Sequence, residues 1–247
     1  MSLLEAAVNG STSRCKQLLA AGSDVGERIE DGATPLLRAA HFGHTEVCEL
    51  LLEKGKANIE ETEPLGNTAL KLAASKGNAS TVALLLSKGA KVDTRNKNGF
   101  TPLLAAAQNG HTEVCELLLA AGSDVEESEP DTQSTPLHEA AIRGHERIIQ
   151  LLLSHKADVN SRSRTEATPL HCASSEGHLA SVLTLLQAGA DPLLPQHDGT
   201  LPIHMAAQFN HHEVVRILIE EGACSPDQVR HTALQSLDHL SNSFLGK

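Results

Sequence analysis

The sequence predicts an all-α repeat solenoid, in which short helix pairs are stacked along the chain. Three observations support this prediction. The ten residues GHTEVCELLL occur identically at 43–52 and 110–119. A Thr-Pro-Leu landmark, or a variant of it, recurs at intervals of 34, 33, 34, 33, 33 and 31 residues. Aromatic residues make up only 2% of the chain, so its core must be built from Leu, Ala and Val. A fixed period of this length is typical of repeat architectures.

Composition narrows the class of protein before any single residue is considered. The net charge of −11 argues against nonspecific affinity for nucleic acid or for an anionic membrane surface. No apolar run approaches the roughly 18 residues that a membrane span needs, and Met1 opens directly into the first repeat without a signal peptide. We therefore expect a soluble, monomeric protein of the cytoplasm, with the nucleus as the alternative.

The first helix of each repeat can be justified from the stretch 31–43. Asp31-Gly32 favours a turn. Thr34 can cap a free backbone N–H, and a proline at the first helical position loses no hydrogen bond. Leu36, Ala39 and Ala40 lie at i, i+3 and i+4, which gives one narrow apolar face with small side chains. This pattern predicts a short helix that another helix can approach closely.

The second helix follows from Thr45 and has a wider apolar stripe. Val47, Cys48, Leu51 and Leu52 form that stripe, and Gly55 is expected to end the helix in the left-handed conformation. Neither helix reaches the ~12–15 residues that an isolated helix needs for stability. Stacking against neighbouring repeats is therefore required for folding.

Three residues in two of the later repeats depart from this pattern. Lys156 replaces the glycine that ends the second helix, which places a lysine where φ is expected to be positive. Gln133 replaces the usual turn glycine, and Leu201 replaces the capping threonine.

The complete pattern resembles the ankyrin repeat family, whose signature is Thr-Pro-Leu-His-x-Ala-Ala-x-x-Gly-His. The best matches are 135–145 (TPLHEAAIRGH) and 168–178 (TPLHCASSEGH). The resemblance implies helix-turn-helix units joined by β-hairpin-like loops, with histidines that hydrogen-bond neighbouring loops. It indicates one domain over 1–247, with repeats near 1–30, 31–63, 64–96, 97–130, 131–163, 164–196 and 197–228, and a partial C-terminal cap at 229–247.

The five cysteines follow the repeat rather than a reactive motif. Cys15, Cys48 and Cys115 occupy the column in which other repeats carry valine or isoleucine, so we interpret them as small buried apolar residues. Cys172 is expected to face outward from a first helix, and Cys224 lies in a loop. Both are interpreted as free thiols in a reducing compartment.

No cofactor site, metal site or catalytic motif is predicted. Histidines of one column in adjacent repeats are too far apart to share a zinc ion at ~2.1 Å. The sequence contains no glycine-rich phosphate loop, no nucleophile elbow and no HExxH motif. The chain is therefore interpreted as noncatalytic.

The residues left over after the core columns lie at loop tips and on the outer positions of the first helices. By the resemblance, these positions line a concave groove that holds partners, and large apolar groups there have no role in folding. The surface also includes His41, Lys76 and Glu176. The predicted partner-binding residues are Asp31, Arg38, Phe42, Leu65, Leu72, Lys97, Phe100, Asn109, Asp131, Ile142, Arg143, Arg164, Met205 and Phe209.

Charge is banded along the loops. There are acidic bands at 27–31, 60–63 and 126–131 and basic bands at 91–97 and 162–164, which predicts a partner with complementary bands. The resemblance also implies a modification, hydroxylation of Asn160 in the segment Ala-Asp-Val-Asn.

We expect the chain to be a protein-binding scaffold or adaptor that holds a protein or peptide in the groove. One alternative is the recognition arm of a larger protein, such as a ubiquitin-ligase adaptor, a channel or an enzyme, that continues after residue 247. A second alternative is a recently duplicated or partly engineered scaffold, because the two decapeptides are identical.

Overall fold

The computed structural model describes residues 2–28 and 31–220. These residues form fourteen helices and no strand. The first helices of the repeats are α1 (Leu3–Val8), α3 (Pro35–Phe42), α5 (Ala69–Ser75), α7 (Pro102–Asn109), α9 (Pro136–Arg143), α11 (Pro169–Glu176) and α13 (Pro202–Gln208). The second helices are α2 (Thr12–Ala20), α4 (Thr45–Glu53), α6 (Ala79–Ser87), α8 (Thr112–Ala120), α10 (Glu146–Ser154), α12 (Leu179–Gln187) and α14 (His212–Glu220).

The chain divides into two compact units, Met1–Glu129 and Pro130–Lys247, called unit 1 and unit 2. In unit 1, α1, α3, α5 and α7 pack in sequence, and α2, α4, α6 and α8 form a second layer. In unit 2, α9, α11 and α13 form one layer, and α10, α12 and α14 form the other. The all-α repeat solenoid is confirmed, whereas a single domain over 1–247 stays a prediction.

The predicted helix starts in unit 1 are formed by threonine caps. The Thr34, Thr68 and Thr101 hydroxyls accept hydrogen bonds from the backbone N–H groups three residues later, at 3.5, 3.3 and 3.2 Å. Pro35 and Pro102 occupy the first helical positions of α3 and α7. The landmark therefore acts as a helix start, as the sequence predicts.

Short loops join the repeats and have the expected hairpin-like form. Asn96 N–H donates to Phe100 C=O at 3.1 Å in unit 1, and Gln196 N–H donates to Thr200 C=O at 2.8 Å in unit 2. Each bond closes a turn just before a first helix. The residues that flank these turns form no β-strand in the described part of the chain.

The core is aliphatic, and the three cysteines of the valine column belong to it. Cys15, Cys48 and Cys115 are fully buried, like Val82, Ile149 and Val182 in the same column. Burial raises the pKa of both the Cys48 and Cys115 thiols to about 12. These thiols stay protonated, and the interpretation as small buried apolar residues is confirmed.

Adjacent repeats are joined by a hydrogen bond donated by the residue that follows Gly43, Gly77, Gly110, Gly177 or Asn210. The Nε2–H of His44 donates to Val8 C=O at 2.9 Å, and that of His111 donates to Ser75 C=O at 3.2 Å. In unit 2, His178 donates to Ile142 C=O at 3.0 Å, and His211 to Ser175 C=O at 2.9 Å. We call this bond the inter-repeat clasp.

Asparagine replaces histidine in one clasp and keeps its function. The Nδ2 of Asn78 donates to both Ala40 C=O and His41 C=O at 3.0 Å. An amide has two N–H donors, so it can satisfy both of these carbonyls at the end of α3.

The clasp requires a glycine beneath the ring. Gly77 has φ +74°, and a Cβ added to it would lie 2.6 Å from His111 Nδ1. Glycine is therefore needed both for the left-handed backbone and for the close approach of the ring.

The left-handed position at the end of α4 differs from the prediction. Lys56 has φ +59°, whereas Gly55 does not have a positive φ. Gly55 is required for another reason, because a Cβ there would lie 2.6 Å from the Leu51 carbonyl oxygen. The expectation of a left-handed Gly55 was wrong. In contrast, Lys156 has the positive φ expected for it (+68°), and Gln133, which replaces the usual turn glycine, also has a positive φ (+56°).

Unit 2 contains buried histidines at the fourth position of the landmark, where unit 1 has Leu37, Lys71 and Leu104. His171 Nδ1 accepts the Thr168 N–H at 3.1 Å, and its Nε2–H donates to Thr200 C=O at 3.0 Å. His138 makes the same contacts with Thr135 and Ala167. Burial lowers the pKa of His138, and it lowers the pKa of His171 to about 4.

A pair of glycine substitutions tests the clasp. We expect Gly77→Ala to lower the free energy of unfolding by roughly 2–4 kcal/mol, because left-handed strain and overpacking against His111 add. Gly89 is also left-handed, with φ +85°, but its Cβ would meet nothing within 4 Å. Gly89→Ala should therefore cost only about 1–2 kcal/mol in urea unfolding. Equal losses for the two variants would show that the ring contact has no energetic role.

Acid should destabilise the protein through the buried histidines. The folded-state pKa of His171 lies below the unfolded value, so its contribution is complete above pH ~6.5 and is lost as pH falls towards about 4. The expected slope is about 1.4 kcal/mol per pH unit for each such histidine.

The comparison is between urea unfolding of the wild type and of His171→Gln from pH 7 to pH 4.5. The variant should show a shallower decline, whereas the control His197→Gln, at an exposed loop position, should keep the wild-type slope. If the free energy of unfolding of His171→Gln fell with pH as steeply as that of the wild type, His171 would not be a source of the acid destabilisation.

Candidate partner-binding site

A cleft of about 300 Å³ lies on unit 1 between α3, α5 and the loops that precede them. Its apolar wall is formed by Leu65 and Leu72, and His41 lies at the end of α3. Leu65 is 56% exposed, and the neighbouring Phe42 is 49% exposed with its ring 4.8 Å from that of His41. We call this site the unit 1 cleft. It is lined by Asp31, Ala33, Leu37, Arg38, His41, Glu63, Leu65, Asn67 and Leu72.

The inter-repeat clasp holds the backbone of this cleft in place. Asn78 donates to the carbonyl of His41, and His111 donates to the carbonyl of Ser75 at the end of α5. The loop carrying Leu65 is fixed from the other side, because Lys97 N–H donates to Leu65 C=O at 2.9 Å and Asn96 Nδ2 donates to Asn67 Oδ1 at 2.9 Å. The exposed leucine therefore lies on a hydrogen-bonded loop.

The carboxylates of the unit 1 cleft already have hydrogen-bond or ion-pair partners. Asp31 forms an ion pair with Arg38, and the Glu63 carboxylate accepts the N–H groups of Leu65 and Asn67 at 2.8 and 2.9 Å. The pKa of His41 is lowered by burial and then by the positive charges of Lys76 and Arg38. His41 is thus neutral near pH 7 and lies in a positive electrostatic environment.

A second cleft of about 300 Å³ lies on unit 2 between α9, α11 and α13. Its apolar lining comes from Ile142, Cys172 and Met205, and His178 holds the Ile142 carbonyl through the clasp. We call this site the unit 2 cleft. It is lined by Ile142, Thr165, Ala167, His171, Cys172, Ser175, Glu176, Gln196 and Met205.

The environment of the unit 2 cleft is negative. Burial raises the pKa of the Cys172 thiol to about 12, with further contributions from the carboxylates of Glu139 and Glu176. Cys172 is half-buried within the cleft rather than fully outward-facing as expected, and its thiol is protonated. Cys224 lies outside the described residues.

The structure brings some of the predicted binding residues together and leaves others apart. Asp31, Arg38, Leu65 and Leu72 share the unit 1 cleft, and Ile142 and Met205 share the unit 2 cleft. Phe42, Lys97, Asp131, Arg143 and Phe209 are exposed outside these linings.

Three of the predicted residues have structural contacts of their own. Phe100 is half-buried, and its N–H donates to Asn96 Oδ1 at 2.9 Å. Asn109 donates to Ala105 C=O at 2.7 Å, and the Arg164 guanidinium donates to Pro130 C=O at 2.6 Å. For these three side chains the binding role stays a prediction.

Sequence reasoning did not place Glu63, His171, Cys172 or Gln196 in a binding site. A signal for Cys172 was present, because it occupies the same column as Leu72 and Met205. The loop residues Glu63 and Gln196 carry no such signal, since their contribution depends on how one loop folds against the next.

The charge bands are partly neutralised inside each unit. Arg28 pairs with Glu61, Arg95 pairs with Glu127 and Arg162 pairs with Glu166. Several of the charges predicted to meet a partner therefore join loops instead. These paired residues therefore no longer support the prediction of a partner with complementary charge bands.

Asn160 contributes to a comparable loop contact. Its side-chain oxygen accepts the Asp191 N–H at 2.8 Å, as Asp93 does for Asp124 N–H at 3.3 Å in unit 1. Hydroxylation of Asn160 stays a prediction.

The described residues contain no group of three or more His, Cys, Asp or Glu side chains arranged to hold a metal ion. Within the same residues, no helix is long and apolar enough to cross a membrane.

Stacked helix pairs with clefts on the first-helix side define a helical repeat protein whose exposed surface is available for binding. Family models described as ankyrin repeats (3 copies) match residues 3–96, 57–129, 89–163 and 126–195, and an ankyrin repeat model matches 198–231. The chain belongs to the ankyrin repeat family. Members of this family generally serve as protein interaction modules.

Among solved structures, the chain is similar to the ankyrin repeat domain of human ASB11. The two are 27% identical with a TM-score of 0.80, and the match covers 88% of this chain and 97% of that chain. A comparison with curated protein sequences gave no significant match.

Proposed function

We propose that this protein is a noncatalytic scaffold or adaptor that binds a protein or peptide through the first-helix and loop-tip surface. The unit 1 and unit 2 clefts are the contact sites within that surface. Phe42 and Phe209 supply further apolar contacts at the ends of α3 and α13. Neither nucleic acid nor a membrane is proposed as a partner, and the protein acts as a monomer in the cytoplasm or nucleus.

The observation that carries this proposal is the exposure of large apolar side chains on well-ordered backbone. Phe42 is 49% exposed and Leu65 is 56% exposed, although Leu36, Leu37 and Leu70 nearby are almost completely buried. Burying these side chains against a partner would remove apolar surface from water, which stabilises a complex by roughly 25 cal/mol per Å² of buried apolar area. Such residues, clustered beside a cleft, are typical of binding hot spots.

Cleft size and the protonated state of the cleft thiol both favour binding over nucleophilic catalysis by that thiol. About 300 Å³ lies at the lower end of ligand pockets, and it accommodates a side chain of a partner. The thiol and imidazole groups of the clefts are neutral near pH 7, because the pKa of Cys172 is raised and the pKa values of His41 and His171 are lowered. Neither cleft therefore offers a thiolate nucleophile.

Substitution of the exposed pair tests the proposed function. We expect the double variant Phe42→Ala with Leu65→Ala to bind a captured partner with an affinity lower by about tenfold or more, since hot-spot truncations cost at least about 2 kcal/mol of binding free energy. Stability should change little, because both side chains are about half exposed. The measurement is quantitative affinity capture, followed by titration of each recovered protein.

The control is Leu193→Ala, which truncates another exposed apolar residue, 42% exposed, in a loop outside both clefts. It should capture the same proteins as the wild type. Identical capture by all three proteins would contradict a binding role for the unit 1 cleft.

A further inference from the structure

We propose that the unit 1 cleft recognises an acidic and apolar segment of a partner protein, in which a bulky aliphatic or aromatic side chain is flanked by Asp or Glu. This inference rests on the proposed function and specifies the partner's chemistry. It follows from which charges of the cleft are already satisfied and which are not.

The apolar component comes from two neighbouring repeats. Leu72 lines the cleft on α5, and Leu65 lies opposite it on the loop before α5. Phe42 extends the same apolar surface past His41. A single large side chain inserted between Leu65 and Leu72 would contact both, which a small or polar residue could not do.

The carboxylates of the cleft are not available to a basic partner. Asp31 pairs with Arg38, and its Oδ1 also accepts the Ala33 N–H at 3.0 Å. Both oxygens of Glu63 accept backbone N–H groups of its own loop. Binding a cation would compete with these existing bonds.

The lysines around the cleft are in the opposite situation. Within the described part of the chain, the exposed ammonium groups of Lys76 and Lys97 have no ion-pair or hydrogen-bond partner. Lys76 lies at the C-terminal end of α5, and its charge helps to lower the pKa of His41. Lys97 lies beside the loop that carries Leu65, because its backbone N–H donates to Leu65 C=O. Half-buried Lys71 also lies on α5, but its charge is offset by the carboxylate of Glu63.

This local charge is opposite in sign to that of the whole protein. The chain carries −11, so the unpaired lysines Lys76 and Lys97 beside Leu65 and Leu72 are the feature that complements an acidic segment. Nucleic acid also offers negative charge, but its backbone has no bulky aliphatic group for Leu65 and Leu72. The net negative charge of the chain also opposes nucleic acid, so a protein segment is favoured.

The test is selection of a random twelve-residue peptide library displayed on phage against the full chain. Three targets are compared: the wild type, Lys76→Glu with Lys97→Glu, and Lys16→Glu with Lys54→Glu. The last pair changes the net charge equally, at exposed lysines on α2 and at the end of α4. All four lysines are exposed, and thermal unfolding by circular dichroism confirms that each variant is folded.

Wild type and the control should enrich peptides with Leu, Ile, Phe or Met next to Asp or Glu. The best of these peptides, labelled and measured by fluorescence anisotropy, should bind Lys76→Glu with Lys97→Glu at least tenfold more weakly. It should bind the control variant within about twofold of the wild type, and added NaCl should weaken binding.

Two results would overturn this inference and leave the proposed function intact. The first is enrichment of peptides without acidic residues, or of peptides that bind the Lys76→Glu with Lys97→Glu variant as well as the wild type. The second is displacement of the peptide by an equal concentration of single-stranded oligonucleotide. If no peptide is enriched on any target, the inference and the proposed function are both contradicted.

Discussion

The structure depends on one repeated hydrogen bond, donated by the residue just before a second helix to a carbonyl near the end of the first helix in the preceding repeat. Each helix is too short to be stable alone, so the repeats must be held in register. Dispersion between small alanines brings helices together but is not directional. The clasp is directional, and Asn78 shows that the geometry matters more than the imidazole, because an amide makes the same connection.

The clasp also links the scaffold to the proposed binding surface. The carbonyls it fixes belong to Ser75, Ile142 and Ser175, at the cleft ends of their helices, and in one case to His41. Side chains at those positions are therefore held on rigid backbone, and little conformational entropy remains to be lost on binding. Two groups of residues result. Glycines, threonines, histidines and the valine column maintain the stack, whereas Leu65, Leu72, Ile142 and Met205 line the clefts proposed to bind a partner.

Much of this arrangement could be predicted from local patterns. The threonine caps, the buried cysteines and the positive φ of Lys156 each follow from a residue and its immediate neighbours. The wrong prediction at Gly55 has a local cause, since an extra residue moves the left-handed position to Lys56. The charge bands could not be interpreted from sequence, because the pairing of Arg28 with Glu61 and of Arg95 with Glu127 depends on loop geometry between repeats. For the same reason, the sequence did not predict that Glu63 lines the unit 1 cleft.

The central claim is that partners contact the first-helix and loop-tip surface, while the second helices only support it. Methyl-selective NMR of the full chain, titrated with a partner recovered by affinity capture, tests this claim most directly. The account predicts chemical-shift changes at the methyl groups of Leu65 and Leu72, or of Ile142 and Met205. It predicts no change at Ile219, which is 37% exposed on the second helix α14. Shifts confined to the second helices, with the cleft methyl groups unchanged, would contradict it.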